Sequence, residues 1–474
     1  MSKTKEITQP PTFGLKEKIY WGSASFGGSI VQGIYLSLLS IFYTDYLGLS
    51  QGATLILIIT IIYTAVNALN DPIFGFISDR TRSENGRRIP YMKYTIPLFT
   101  VSFILIWFSP GIDAGVFPVF LWMLITTCLY DTSYTIIFMV YSALLPEITE
   151  SETERSKLNV WAMFFNLIGQ ILGFLIPDLF RNESRPLLLT SMIIVGIIGG
   201  LLILVTTLKF KERPELTQVD EPLPPIPAIK HTIVNKSFIT LVTANFMGIF
   251  LQSMVIGSMF YLADYIVQTS VIIPMIFVFV PLLIGIWLTP KMTKRWGVVR
   301  SDQILLVIGG VGLILLTFMP AGIPIYICLA IAGFGFVGPL IFTNILFAQV
   351  CDEDELKTGR RREAAYFGVN ALITKPAQSL VIIIPAIMLN LSGFIPHALG
   401  TPPELNQPEM VFLSIRTFIG LIPGIALLLG AIILQFYPLK GEYWEEVQEE
   451  VLELHQEKRN KYQEMQDNKI PERY

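Results

Sequence analysis

The middle of the chain joins two very different stretches of sequence. Residues 187–208 read LLLTSMIIVGIIGGLLILVTTL, without a charged side chain, and residues 209–236 read KFKERPELTQVDEPLPPIPAIKHTIVNK. A helix needs about 20 apolar residues to cross the hydrocarbon core of a bilayer, so the first stretch predicts a transmembrane helix. The second stretch is rich in proline and charge, which is typical of a linker.

Apolar runs of the same kind lie on both sides of this linker. They begin near Ile19, Ala53, Tyr91, Val116, Leu158, Leu187, Phe238, Ile272, Gln303, Ile323, Ala364 and Val411. These runs are too long for barrel strands. We therefore predict an all-α membrane protein with twelve transmembrane helices in two pseudo-symmetric six-helix halves, 1–208 and 237–437, around a central path. Residues 438–474 are expected to form a cytoplasmic, helical tail.

Composition agrees with a membrane protein and argues against most enzymes. Charged residues make up 15% of the 474 residues and the mean hydropathy is +0.58, whereas soluble proteins are about a quarter charged. The cysteines show no paired spacing that would predict disulfides or a zinc site. No nucleophile–base set, metal cluster or phosphate-binding loop stands out. We expect a monomeric transporter of a small molecule, without a cofactor or a nucleic-acid partner.

Lysine and arginine are distributed unevenly between alternate loops. The loops after the second, eighth and tenth runs are basic, whereas the expected outer loops carry only Arg181 and Arg185. Basic residues favour the cytoplasmic side of a membrane. This pattern predicts that both termini and the linker lie in the cytoplasm and that the protein resides in the cell membrane.

A few charged residues lie inside the apolar runs, where they are costly and therefore functional candidates. They are Asp71, Asp131, Asp264, Lys375 and Arg416. Asp71 follows Asn67 by one helical turn and precedes Pro72, which frees a backbone carbonyl. A carboxylate, an amide and a free carbonyl predict a site for Na⁺ or H⁺. Lys375 is the expected counter-charge from the other half, and a static ion pair is the alternative.

Two other acids lie close to the expected outer ends of spans. They are Asp45 and Asp178, and we expect both to be solvated there.

Two basic motifs follow the second and tenth runs, DRTRSENGRR and KTGRRRE. Arginines beside an acid at a helix end can clamp neighbouring helices, which predicts an inner gate. Its candidate residues are Asp79, Arg80, Arg82, Arg87, Arg88, Arg360 and Arg361. Positive-inside charge alone would explain the arginines, but it would not explain Asp79.

At these motifs the chain resembles a known family. NDPIFGFISDRTRSENGRRIPY is similar to the span-two signature of the glycoside–pentoside–hexuronide:cation symporters, within the major facilitator superfamily. FYTDYLGLS, YSALLPEITESETERSKL and CDEDELKTGRRREAAYFGVNALITK agree with the same family, in the same order along the chain. The resemblance implies twelve helices, alternating access and symport with Na⁺ or H⁺.

The resemblance also implies a cation site. Asp71 matches the aspartate that helps to bind the coupling cation in relatives, Thr135 matches a threonine near the cation, and Lys375 matches a span-eleven lysine. Asn67 stands where a second aspartate is usual. The resemblance therefore implies a cation site that has lost one carboxylate.

The positions that bind sugar in relatives depart further from the family pattern. Ser29 and Phe138 replace two aspartates, and Met163 replaces an arginine. The candidate substrate-binding residues are Ser29, Gln32, Tyr134, Phe138, Met163, Asn166, Gln170 and Asn370. The leading hypothesis is cation-coupled symport of a sugar or glycoside-like solute. A carrier for a less polar or amphipathic solute, such as a lysolipid, is the alternative, and a membrane-embedded enzyme or receptor is the hypothesis from another class.

Overall fold

A computed structural model describes most of the chain. The described residues are 13–47, 53–80, 88–148, 152–180, 185–211, 232, 234–358, 363–397, 403–451 and 453–454. Within these ranges the regular structure is entirely helical. Most of the predicted linker, residues 212–231, lies outside them.

The first half contains six long helices. They are α1 (Leu15–Ile41, extended by a π-helical segment Phe42–Tyr46), α2 (Ala53–Arg80), α3 (Ile89–Trp107), α4 (Val116–Ile148), α5 (Glu152–Phe180) and α6 (Arg185–Lys209).

The second half repeats this number. Its helices are α7 (Lys236–Tyr261, extended by the π-helical segment Leu262–Val267), α8 (Ile272–Trp296), α9 (Val298–Phe318), α10, α11 (Glu363–Leu391) and α12. Helix α10 consists of Ile323–Gly335, a π-helical segment Gly338–Phe342 and Thr343–Thr358, and α12 consists of Glu409–Arg416, a π-helical segment Thr417–Leu421 and Ile422–Ile433. Residues 442–451 form a further helix after α12.

The predicted fold class is confirmed. Within the described residues, eleven helices are long and apolar enough to cross a membrane, and α2 is the twelfth long helix. Many of their large apolar side chains are exposed, as lipid-facing helices require. The domain boundaries at residues 208, 236 and 437 remain a prediction.

Close helix packing in the first half depends on glycine. A Cβ atom added to Gly33 of α1 would lie 3.0 Å from Cα of Gly173 on α5. Small residues at such crossings let two backbones approach within a membrane. These glycines therefore fix how α5 lies against α1.

The two halves meet through a small number of helix pairs. Helix α2 packs against α11, α1 against α7, and α5 against α8. The space between the halves is therefore bounded in part by α1, α2 and α5 on one side and by α7, α8 and α11 on the other.

Candidate functional site

Three helices meet at the ammonium group of Lys375, near the middle of the bundle. Its Nζ atom donates to the backbone carbonyl of Asn67 on α2 at 2.9 Å and to Oγ1 of Thr135 on α4 at 3.2 Å. Asp71 lies one turn after Asn67 in α2, but its side chain lies outside the described part of the structure. The structure thus brings Asn67, Thr135 and Lys375 together across the two halves.

The side chain of Asn67 has unusual surroundings. It is fully buried, yet neither Oδ1 nor Nδ2 has a hydrogen-bond partner among the described residues. A buried polar atom without a partner costs about 1–3 kcal/mol, so such groups usually mark a bound ion, water or ligand. The position beside Lys375 is therefore suited to a polar guest.

Asp131 forms a second polar centre on α4. Its Oδ2 atom accepts from Nδ2 of Asn70 at 3.1 Å, and its Oδ1 atom accepts from the hydroxyl of Tyr63 at 3.4 Å. The hydroxyl groups of Tyr63 and Tyr35 are 3.2 Å apart. As a charged residue inside an apolar run, Asp131 was a functional candidate from the sequence alone. Asp131 is the centre of a network that links α1, α2 and α4.

An aromatic run follows one side of α4. The ring centroids of Tyr134 and Phe138 are 4.5 Å apart, and those of Tyr130 and Tyr134 are 6.1 Å apart. A Cβ atom added to Gly28 of α1 would lie 1.8 Å from Cζ of Phe138. The Phe138 ring, which stands where relatives have an aspartate, therefore fits because Gly28 has no side chain.

The other predicted substrate-binding residues are divided among several contacts. Ser29 on α1 is buried and accepts a hydrogen bond from the Asn166 amide on α5. Gln32 accepts a hydrogen bond from the Tyr130 hydroxyl at 2.7 Å. Asn370 accepts one from Asn245 on α7 at 2.8 Å. Ser29 and Asn166 are thus hydrogen-bonded to each other where α1 contacts α5.

Two predicted substrate-binding residues on α5 have a different setting. The Met163 side chain is 63% exposed, and Gln170 is half-buried. Neither is brought into the polar contacts that surround Lys375 and Asp131.

One end of the space between the halves is closed by a buried polar cluster, Asp45, Tyr265 and His397. The Tyr265 hydroxyl donates to Oδ2 of Asp45 at 2.5 Å, and the His397 backbone amide donates to Oδ1 at 2.9 Å. Nδ1 of His397 lies 3.1 Å from the same carboxylate. This cluster joins α1 to α7 and to the segment after α11, at the end of α1 opposite its start at Leu15.

The expectation that Asp45 is solvated is wrong, because its residue surface is only 1% exposed. The π-helical segment of α7 and the segment around His397 cover it and supply its donors. These donors are 220 and 352 positions away in the chain, so no local pattern could indicate the burial. Asp178 also has a partner, since it accepts a hydrogen bond from Ser270 of the other half.

Arg416, the remaining basic residue inside a predicted span, has a structural partner. Its guanidinium donates to the carbonyl of Met319, at the end of α9. This contact ties α12 to the connection between α9 and α10.

The predicted inner gate falls mostly outside the described residues. The structure does not describe Arg82, Arg87, Arg360 and Arg361 or the side chains of Asp79 and Arg80. Arg88 is described and immediately precedes α3. The inner gate therefore remains a prediction.

A family model described as MFS/sugar transport protein matches residues 21–441. The chain belongs to this family. The match spans both six-helix halves and confirms the resemblance to major facilitator symporters. As a member of the MFS/sugar transport protein family, the chain is a membrane transporter and not an enzyme.

Relatives cover nearly the whole chain. The "Uncharacterized symporter YnaJ" of Bacillus subtilis is 27% identical, over 89% of this chain and 91% of its own length. The sodium-dependent lysophosphatidylcholine symporter 1 of Gallus gallus is 23% identical, over 84% of this chain and 82% of its own. This MFS/sugar transport protein is thus similar to symporters over most of its length.

Solved structures show the same fold. A D-xylose–proton symporter superposes with a TM-score of 0.62 at 15% identity, covering 89% of this chain and 97% of that one. The nucleoside transporter NupG gives 0.61 at 14% identity, covering 90% of this chain and 100% of that one. At such identities the likeness concerns the fold alone.

Proposed function

We propose that this protein is a secondary active transporter that couples the uptake of a sugar or glycoside-like solute to a cation gradient by alternating access. The observation that carries the proposal is the contact of Lys375 with Asn67 and Thr135. This contact joins the two halves, so a change of conformation that separates them must alter it.

The coupling cation binds next to this contact. Its ligands are Asp71, Asn67 and Thr135, and Lys375 tunes the site electrostatically. Na⁺ is favoured over H⁺ because a buried amide oxygen without a partner among the described residues is a ligand for a metal cation, whereas an amide takes up no proton at neutral pH. The sodium-dependent relative supports the same choice.

The substrate lies between the halves, beside the cation. Gln32, Tyr134 and Phe138 form the wall from the first half, and Asn370 belongs to the wall from the second. Ser29, Met163, Asn166 and Gln170 complete the proposed binding surface, with Ser29 and Asn166 acting as a hydrogen-bonded pair.

A second candidate substrate is an amphipathic solute such as a lysolipid. The aromatic run from Tyr130 to Phe138 favours it, because aromatic rings can also pack against an acyl chain. The lysophosphatidylcholine symporter among the relatives points the same way. The two candidates differ in whether binding requires a carboxylate.

Alternating access needs a closed end and a gate at the other end. The cluster of Asp45, Tyr265 and His397 supplies the closed end. Asp79, Arg80, Arg82, Arg87, Arg88, Arg360 and Arg361 form the proposed inner gate. The protein acts as a monomer in the cell membrane with both termini in the cytoplasm, which the distribution of basic residues supports.

Purified protein in liposomes tests the proposed function. An inward Na⁺ gradient at constant pH should drive accumulation of the transported sugar, and a pH gradient without Na⁺ should not. Accumulation driven by pH alone would reject Na⁺ as the coupling ion, and equilibration without accumulation would reject symport.

A further inference from the structure

A small polar cavity lies in the middle of the bundle, between α1, α2, α4 and α11. Its volume is about 30 Å³, and its polar lining includes Gln32, Tyr35, Tyr63, Asp131 and Gln378. A cavity of this size holds about one water molecule or one hydroxyl group. Both halves of the protein contribute to it, since Gln378 belongs to the second half.

The carboxylate in this cavity belongs to Asp131. Asp131 lies near the middle of α4, and a charged group at that depth of a bilayer is energetically costly and therefore a functional candidate. Asn70 and Tyr63 hold it in place by hydrogen bonds. The two oxygens of an ionised carboxylate are hydrogen-bond acceptors, which is the role that a ligand hydroxyl requires of its partner.

Two amide side chains, those of Gln32 and Gln378, line the cavity together with Asp131. The Tyr130 hydroxyl donates to Oε1 of Gln32 at 2.7 Å, which fixes the orientation of that amide. Gln378 lines the same cavity from α11 and is exposed, so its amide is accessible to a ligand. Carboxylate, amide and phenol groups that converge on a recess of hydroxyl size are suited to bind an alcohol group.

The position of Asp131 on its helix connects this recess to the substrate site. Asp131 precedes Phe138 by seven residues, which is two helical turns on the same face and a rise of about 10 Å. Phe138 replaces an acid in the family pattern. Asp131 thus supplies a carboxylate on the same face of α4 as Phe138, two helical turns earlier.

We propose that Asp131, with Gln32 and Gln378, forms a subsite that binds a hydroxyl group of a polyhydroxylated substrate. The proposal rests on the proposed transport function and assigns the substrate class as a sugar or sugar derivative. The aromatic run from Tyr130 to Phe138 lies beside the subsite and packs against the apolar face of the ring. A lysolipid would have no need of the carboxylate.

Binding to the purified full-length protein tests the subsite. The probes are D-xylose, a methyl glycoside, a sugar acid and lysophosphatidylcholine, with thermal protection and equilibrium binding as readouts. At least one sugar should bind the wild type, and Asp131→Asn should weaken that binding about tenfold to hundredfold, as for a lost hydrogen bond to a charged group. The matched control is Asp113→Asn, in a short surface helix between α3 and α4, which should bind normally.

A deoxy-sugar series separates a contact from a folding defect. Removal of the relevant hydroxyl should weaken binding to the wild type by the same factor, and should have no further effect on Asp131→Asn. Unchanged sugar affinity in Asp131→Asn overturns the subsite, as does a wild type that binds lysophosphatidylcholine or nothing in this set.

The result also distinguishes the subsite from the proposed function. If the Asp131→Asn variant binds sugar normally but cannot accumulate it, the subsite is overturned while the proposed symport is not. Asp71→Asn should keep its sugar affinity and lose only the response to the cation gradient. Failure of that second expectation would instead count against the proposed coupling site.

Discussion

Lys375 on α11 donates a hydrogen bond of 2.9 Å to the backbone carbonyl of Asn67 on α2, 308 positions earlier in the chain. The bond joins the two halves at a level where charge is costly. An ammonium group has three donors, and Thr135 accepts from another of them. Separation of α2 from α11 must therefore change the partners of this lysine.

Asp71→Asn should abolish accumulation of substrate against its gradient while sparing exchange across the membrane. The reason is that the amide cannot supply the negative charge that attracts the cation, whereas the substrate contacts remain. Accumulation and exchange in liposomes are the measurements. Asn67→Asp should raise the dependence on Na⁺, because affinity for a hard cation grows with ligand charge. If Asp71→Asn still concentrates substrate, the coupling site lies elsewhere.

Lys375→Met should destabilise the purified protein by about 1–3 kcal/mol, because the Asn67 carbonyl and Oγ1 of Thr135 would both lose the ammonium donor. The unfolding midpoint in detergent measures this loss. Lys294→Met, at an exposed position in the last turn of α8, is the control and should leave the midpoint unchanged. An equal loss in both variants would show that the Asn67 contact contributes nothing specific.

Tyr265→Phe should loosen the closed end of the bundle. The variant loses a hydroxyl that donates to the buried Asp45 carboxylate, and hydrogen bonds to charged groups contribute about 1.5–3 kcal/mol. The population open at this end should rise about tenfold to hundredfold. The measurement is maleimide labelling of Ser40→Cys, a buried position between the halves, in a background without other cysteines.

Tyr443→Phe is the matched control for this change. Its hydroxyl donates to Glu353 at 3.0 Å, on the other side of the bundle. Labelling of Ser40→Cys should stay at the wild-type rate in this variant. Equal rates in Tyr265→Phe and the wild type would argue against the cluster as the closure.

Gly28→Ala should displace the Phe138 ring, since the added Cβ atom would lie 1.8 Å from its Cζ atom. Overpacking of this kind typically costs about 1–3 kcal/mol. The unfolding midpoint should fall in Gly28→Ala and recover in Gly28→Ala combined with Phe138→Leu. A midpoint that is unchanged in the single variant, or no recovery in the pair, would show that Phe138 does not need this space.

The start of the first helix should loosen in acid. Hydrogen bonds from Lys157 and from the Phe13 amide lower the pKa of Glu154 below its ordinary value of 4.5. A lowered pKa stabilises the folded contact above pH 4.5, and this contribution is lost as the pH falls through the folded-state pKa. Proteolysis near Phe13 should therefore accelerate below pH 4.5.

Glu154→Gln is the control for this pH effect. It should be cleaved faster than the wild type at about pH 7, where the wild-type carboxylate is ionised, with little further change in acid. An equal acid response in both proteins would assign the effect to other carboxyl groups.

Much of this architecture follows from the sequence alone. The cost of exposing a peptide backbone or a charge to lipid depends on residue type and run length, so apolar runs predict helices directly. The same cost identified Asp71, Asp131 and Lys375 as unusual without any knowledge of their neighbours. The resemblance of the span-two motif then predicted a symporter, and the family match confirms it.

The tertiary structure alone decided how the polar groups pair. Asp45 is buried because His397 and Tyr265 approach from the other half, and Phe138 fits because Gly28 on another helix leaves room. Ser29 and Asn166 satisfy each other across α1 and α5. Each of these outcomes depends on the rotation and register of one helix against another, which side-chain packing sets and which no local pattern of residues records.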